Sequence, residues 1–299
     1  MVSIVIPAYN ASTTIAETIA SASQELVREI VVIDDASTDE TLAVVQQIAS
    51  SNPLISVLHN DVSGGPARAR NRGLAAVTGD FVLFLDSDDI LTERAVARLV
   101  NAMTPKSVAV LGRFQAIDAQ GQPLDIGTWA SVQLQPVVRR KGRLVSSPVL
   151  DGESLLTRLV VPPPGGIVFR TAVARALGGF DESLGRSEDI AFLVSMVRQG
   201  ELTVLPETVI LYRRDPKQRS QATSARRRGR QRALAAIIWS APTRRERQSL
   251  ARGASAHHLD RAAVRWRAGD KNPRDLMVAT RSLILAALFR VFGALSSLH

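Results

Sequence analysis

Three carboxylates crowd the run FVLFLDSDDIL: Asp86, Asp88 and Asp89, directly after the apolar stretch Phe81–Leu85. Like charges this close repel, so something must cap, neutralise or use them. Capping the next helix accounts for one of them, Asp88 or Asp89. A carboxylate nucleophile in a D-x-D pattern is a second reading. A hard divalent cation accounts for the group, because Mg2+ or Mn2+ takes one or two carboxylates and completes its shell with substrate phosphate oxygens. A second acidic pair, Glu188-Asp189 in RSEDIAF, opens a helical pattern. It is either a pair of first-turn acids favoured by the helix dipole or a base that can deprotonate a hydroxyl. A third pair, Asp34-Asp35, ends the run EIVVI.

Alternating elements must place these groups. Val2–Pro7, Glu29–Ile33, Ile55–His59, Phe81–Leu85 and Val108–Leu111 read as strands. Ala11–Gln24, Asp39–Ser50, Ala67–Val77 and Thr92–Met103 read as helices, with Asn10 capping the first and Ser37 or Thr38 the second. Near-continuous β-branched runs between helices predict an α/β fold with a mostly parallel sheet covered on both faces. Ligands then belong at the carboxyl ends of the strands, where PAYN, DDAST and DSDD all fall. Residues 113–150 read as loops or a small antiparallel insertion, Ser154–Val160 as a short helix and PPPGG at 162–166 as a break. Ile167–Arg170 reads as a strand, Ser187–Gln199 as a helix and Leu202–Leu211 as extended. Gly64-Gly65-Pro66 precedes a helix whose Arg68, Arg70 and Arg72, two apart, cannot share one face.

PAYN, VVIDDASTDET, GGPARARNRGLAAVTGDFVLFLDSDD and GGFDESLGRSEDIAFL occur in that order, each at an expected strand end or loop. Together they resemble the family 2 glycosyltransferases, inverting enzymes of the GT-A fold, over about residues 1–215. The resemblance implies a Rossmann-like sheet flanked by helices and a nucleotide-diphosphate sugar donor, UDP-linked. It places Pro7, Ala8, Tyr9 and Asn10 against the nucleobase and ribose and Asp35 on the base. Gly65, Arg70, Asp86 and Ser87 line the rest of the donor pocket. Asp88 becomes the principal ligand of Mn2+ or Mg2+, with Asp86 beside it and Asp89 in support. Asp189 becomes the base for the acceptor hydroxyl and Glu188 its partner, with a glycan or lipid-linked acceptor in cell-surface polysaccharide or glycoconjugate assembly. Gly165-Gly166 is expected to let backbone approach the donor sugar. In LYRRDPKQRSQAT, Asp215 stands where the family often has a histidine, so Arg213, Arg214, Lys217 or Arg219 is expected to close over the leaving diphosphate. Two readings outside the resemblance remain: a D-x-D phosphatase with Asp86 as nucleophile, and a non-catalytic nucleotide-sugar binder.

The chain has 299 residues and no cysteine, which excludes disulfides and thiolate chemistry. Its net charge of +9 is uneven. Residues 1–100 hold 6 basic against 13 acidic side chains, and residues 201–299 hold 20 against 7. A catalytic unit at 1–219 and a basic helical extension at 220–299 are expected. SARRRGRQRALAAIIW and LMVATRSLILAALFRVFGALSSL suit either an anionic membrane surface or packing on the domain, including a homodimer contact. Nucleic acid is not expected, since no motif for it accompanies the arginines. MVSIVIPAYN enters a strand pattern with no basic leader, and no apolar run is long enough to span a bilayer, so the expected location is cytoplasmic, peripheral on the inner face of the membrane.

Overall fold

The computed structural model describes residues 1–124, 137–140, 143–146, 149–150, 163–184, 188–214 and 243. Asp215, Lys217, Arg219, the expected helix at 154–160 and, apart from Thr243, the extension 220–299 lie outside the described residues.

The first half alternates as the pattern predicts: β1 (Val2–Ala8), α1 (Ile15–Ala22), β2 (Val27–Asp34), α2 (Thr41–Ser51), β3 (Ile55–His59), α3 (Gly65–Ala76) and β4 (Phe81–Phe84). There follow β5 (Ile90–Leu91), α4 (Ala95–Asn101), β6 (Ser107–Ile117), β7 (Val137–Arg140), β8 (Arg143–Ser146) and β9 (Val149–Leu150). A 3-10 turn (Pro164–Gly166) leads to β10 (Ile167–Arg170), α5 (Thr171–Ala176), α6 (Glu188–Val197) and β11 (Glu201–Arg213).

The main sheet runs β3-β2-β1-β4-β10-β6-β11-β5, with β9 attached to β11. β1 pairs in parallel with β2 and β4, and β6 in parallel with β11. β10 is wedged antiparallel between β4 and β6. That interruption is what sequence order conceals. β4 and β6 are close in sequence, yet the place between them is filled by a four-residue strand arriving after residue 163. β7 and β8 form a separate antiparallel pair, in line with the expected small insertion.

The strands are apolar throughout because both faces are covered. Within β1, Val2, Ile4 and Ile6 pack with Ile15, Ile19 and Val45 on the side of α1 and α2. Val5 points the other way, into a core with Ala67, Leu74, Phe84, Phe180 and Phe192 beneath α3 and α6. The period of two thus sorts one strand into two cores. At Gly73 of α3 a Cβ would come within 2.2 Å of Val5 Cγ1, so glycine sets how closely α3 lies on β1.

Two helix starts differ from expectation. α1 begins at Ile15, and Asn10 does not cap it; Asn10 takes a φ of 51° and its Oδ1 accepts the Thr38 N–H at 2.8 Å, tying the β1 end to the β2 end. α2 begins at Thr41, whose N–H donates to Asp39 Oδ1 at 3.0 Å, so Asp39 rather than Ser37 or Thr38 closes that terminus. Its partners, Thr41 and Ser12, outweigh burial and hold Asp39 down at about 2. The helix expected from Thr92 shortens to α4, because Thr92 is drawn to β11 by N–H and hydroxyl bonds to Val209 and Thr208 carbonyls.

Candidate active site

The carboxyl ends of β1, β2 and β4 open on one edge of the sheet, and the expected site residues gather there. Pro7 and Ala8 are in register with Ile33 and Asp34. Tyr9 and Asn10 follow them, half-buried and exposed respectively.

Asp35 is 3% exposed and accepts four hydrogen bonds. Asn60 Nδ2 and the Gly64 N–H donate to Oδ1 at 2.7 and 3.0 Å. The Ser63 hydroxyl and the Gly65 N–H donate to Oδ2 at 2.7 and 2.8 Å. Burial alone would raise this carboxyl, but those donors carry it below the ordinary value. Sequence reasoning put an oxygen of Asp35 on the nucleobase; here both oxygens pin the loop at 60–65 and the first N–H groups of α3. Gly65 takes a φ of 83° in that loop, a conformation that favours glycine.

Arg70 departs further from its expected place in the nucleotide pocket. Its guanidinium is buried, donating to Asp86 Oδ1 at 2.7 Å and to Glu188 Oε1 at 2.8 Å. It lies 5.4 Å from the centre of the Phe180 ring. Burial disfavours its charge, but Asp86 and Glu188 more than compensate and raise its pKa. One arginine on α3 therefore joins the end of β4 to the first turn of α6, 118 residues away in sequence. Its neighbour Asn71 fixes the GGFDE loop: Nδ2 donates to the Phe180 carbonyl at 2.8 Å, and Oδ1 accepts the Phe180 N–H at 2.7 Å. Arg68 and Arg72 are both exposed, and Arg72 donates to the His59 carbonyl and Asn60 Oδ1.

Asp189 follows Glu188 and is half-buried. Burial, then the Glu188 carboxylate, pushes its carboxyl up to about 6, against the pull of Arg70. A group poised there can accept a proton near neutral pH. Glu188 and Asp189 are also the first-turn acids of α6, so the dipole reading and the base reading describe the same placement.

In the DSDD turn, Asp86, Ser87 and Asp88 are half-buried and Asp89 is buried. Burial, then Asp88 and Asp86, hold Asp89 well above the usual carboxylate range. Tyr212 nearby is pushed up to about 12 by burial and then by Asp89 and Asp86. The turn is therefore a region of concentrated negative charge, which suits a hard divalent cation with Asp88 and Asp86 as donors. Among the described residues, no group of three or more His, Asp or Glu side chains stands ready to hold a metal. A cation here would draw part of its shell from elsewhere, as Mg2+ and Mn2+ do from substrate phosphates.

Two expectations are revised by position. Arg213 is buried against the DSDD turn and does not reach over the mouth of the site. Gly165 is a glycine for packing, since a Cβ there would sit 2.6 Å from Ile210 Cδ1 and 2.7 Å from Leu85 Cδ1. Thr14, Asn60, Ser63, Asn71 and Phe180 were not singled out from the sequence. Asn71 and Phe180 lie inside the motifs ARN and GGFDE, but their pairing crosses 109 residues and has no local signal.

Residues 3–143 match the model "Glycosyl transferase family 2". Over 121 residues the chain is 34% identical to an Escherichia coli protein named UDP-Glc:alpha-D-GlcNAc-diphosphoundecaprenol beta-1,3-glucosyltransferase WfgD, covering 40% of this chain and 47% of that one. The crystal structure of Staphylococcus aureus TarS 1-349 in complex with UDP-GlcNAc superposes with a TM-score of 0.69 at 22% identity, over 96% of this chain and 81% of that one. Mannosyltransferase PcManGT from Pyrobaculum calidifontis, in complex with GDP-Man and Mn2+, gives 0.63 at 21% identity, over 100% and 80%. These two likenesses show the α/β fold. The chain matches between 20% and 62% of the length of its foremost curated relatives.

Proposed function

We infer that this chain, a member of glycosyl transferase family 2 through residues 3–143, moves a glycosyl group from a nucleotide-diphosphate sugar to a hydroxyl acceptor with inversion. The observation that carries the reading is the chain Asp86–Arg70–Glu188, which joins the DSDD turn to the helix start bearing Asp189. Donor chemistry and proton chemistry are thereby held at one place by one buried cation.

Asp189 accepts the proton of the acceptor hydroxyl as the oxygen bonds to the anomeric carbon. The bond from that carbon to the phosphate oxygen breaks on the opposite face, and the nucleoside diphosphate leaves with the electron pair. Glu188 keeps Asp189 basic enough for this by opposing its ionisation. Asp88 and Asp86 would hold Mn2+ or Mg2+, which supplies positive charge for the departing diphosphate. Tyr9, Asn10 and the loop pinned by Asp35 form the wall offered to the base. A UDP-linked donor is the reading favoured by WfgD and by the TarS complex, both named for UDP-sugars. A glycan or lipid-linked acceptor in cell-surface polysaccharide assembly follows the same names. Work at the cytoplasmic membrane face is proposed on the basic composition of residues 201–299; no helix among the described residues is long and apolar enough to cross a membrane.

A thermal-shift panel of UDP- and GDP-sugars with and without Mn2+ tests the donor, because a ligand of the folded state raises its stability. Asp189→Asn is expected to keep the shift and lose transfer by about 10²–10⁴-fold. Undiminished turnover in that variant would remove Asp189 as the base.

A further inference from the structure

We propose that Arg213 is the positioning residue of the DSDD turn, holding the carboxylates of Asp86 and Asp88 in the directions from which they meet a cation and a diphosphate. The significance of that role rests on the function proposed above. The geometry stands apart from it.

The turn is fixed through its backbone. The Asp86 carbonyl accepts the Asp89 N–H at 3.1 Å. The Ser87 carbonyl accepts the Thr14 hydroxyl at 2.9 Å. The Asp88 carbonyl accepts Arg213 Nε–H at 3.0 Å. Three consecutive carbonyls are thus each bound to a donor, and this orientation of the peptides determines where the intervening side chains project. Arg213 adds a second tie, its own N–H donating to Asp89 Oδ1 at 3.0 Å. Directly beside this, Leu211 of β11 pairs with Ile90 of β5.

The rest of the guanidinium is anchored elsewhere. Nη1 donates to the carbonyls of Asp118 and Ala119 at 3.2 and 2.9 Å, and Nη2 to Glu17 Oε2 on α1 at 2.7 Å. The arginine side chain is 6% exposed. Its planar fork therefore bridges four chain segments: α1, the DSDD turn, the turn after β6 and the end of β11. A lysine has a single nitrogen and cannot serve the Asp88 carbonyl, the 118–119 carbonyls and Glu17 together.

The test titrates UDP, and GDP where UDP does not bind, into the full chain by calorimetry, with and without Mn2+, for wild type, Arg213→Lys and Thr14→Val. Mn2+ is expected to strengthen UDP binding to the wild type. That gain should fall about tenfold in Arg213→Lys and about threefold in Thr14→Val, the scale of a charge-assisted and a neutral hydrogen bond. Binding without metal should stay within about twofold, a few tenths of a kcal/mol. Parallel losses with and without metal would overturn the proposal, because they mark general loosening or a direct diphosphate contact. A metal gain retained in folded Arg213→Lys overturns it equally. Amide exchange at Asp89–Leu91 needs no ligand, and faster exchange is expected in Arg213→Lys; unchanged protection counts against the proposal. Should the lysine variant fail to fold, Thr14→Val carries both readouts. Failure of wild type to bind UDP or GDP with any Mn2+ gain would sink the function reading, while the exchange result would still decide the role of Arg213.

Discussion

Replacing Arg70 by methionine keeps an apolar stem and removes a guanidinium whose side chain is 5% exposed. Glu188, whose side chain is 8% exposed, would then sit beside Asp189 without its Arg70 counter-charge. Deleting one partner of a buried pair costs about 3–5 kcal/mol. Asp86 adds little, because its side chain is 32% exposed and water screens it. At roughly 2–4 °C per kcal/mol for a domain of 150–250 residues, the melting temperature should fall by about 6–20 °C. Glu188→Gln removes the stranded charge, so the double variant should recover about 2 kcal/mol relative to additivity. Urea denaturation of the four proteins without ligand measures that cycle. The same variant has a kinetic signature. Asp189 works as a base only when ionised, so wild-type transfer should be present above about 6 and fade as pH drops through it. Arg70 draws the Asp189 pKa down; without the guanidinium it rises, and the acid limb of the rate should move to higher pH. A cycle additive within about 0.5 kcal/mol, together with an unmoved limb, would refute this account of Arg70.

Asp35→Asn turns one accepting oxygen into an NH2 that meets either the Gly64 or the Gly65 N–H, and should cost about 2–3 kcal/mol, read as a drop in urea midpoint. Because the folded pKa of Asp35 is depressed, its contribution is full above the unfolded value and lost as pH falls through the folded one; the variant should therefore lose its deficit against wild type in strong acid. Gly73→Ala forces a Cβ to within 2.2 Å of Val5 Cγ1 and should destabilise by about 1–3 kcal/mol, seen by thermal melting; a neutral effect would mean that α3 is free to lift from β1.

Much of the site was legible in one dimension because chemistry at strand ends leaves local marks. An apolar β-branched run followed by acids marks a carboxyl end, so the sequence places PAYN, Asp35 and DSDD on one edge of the sheet. RSEDIAF was legible for a similar reason, as acids opening a helix. The direction in which each side chain turns was not. Asp35 was expected to face a ligand and instead holds the 60–65 loop; Arg213, one of four basic residues expected to close over the diphosphate, lies beneath the DSDD turn. Both depend on partners far away in sequence, such as the Asn60 amide and the Asp118 carbonyl, which no periodicity reports.

The sequence by itself determined the alternation of strands and helices, a mostly parallel sheet, and the residue types able to bind a cation or take a proton. Hydrophobic period and strand-end composition are local, and local signals survive without a fold. Only the tertiary structure decided that β10 separates β4 from β6, and that Arg70 links Asp86 to Glu188. It alone showed that Arg213 and Thr14 donate to the backbone carbonyls of the DSDD turn. Those are contacts between segments scores of residues apart. They are selected when burial strips water from charged and polar groups and each must find a partner in the chain.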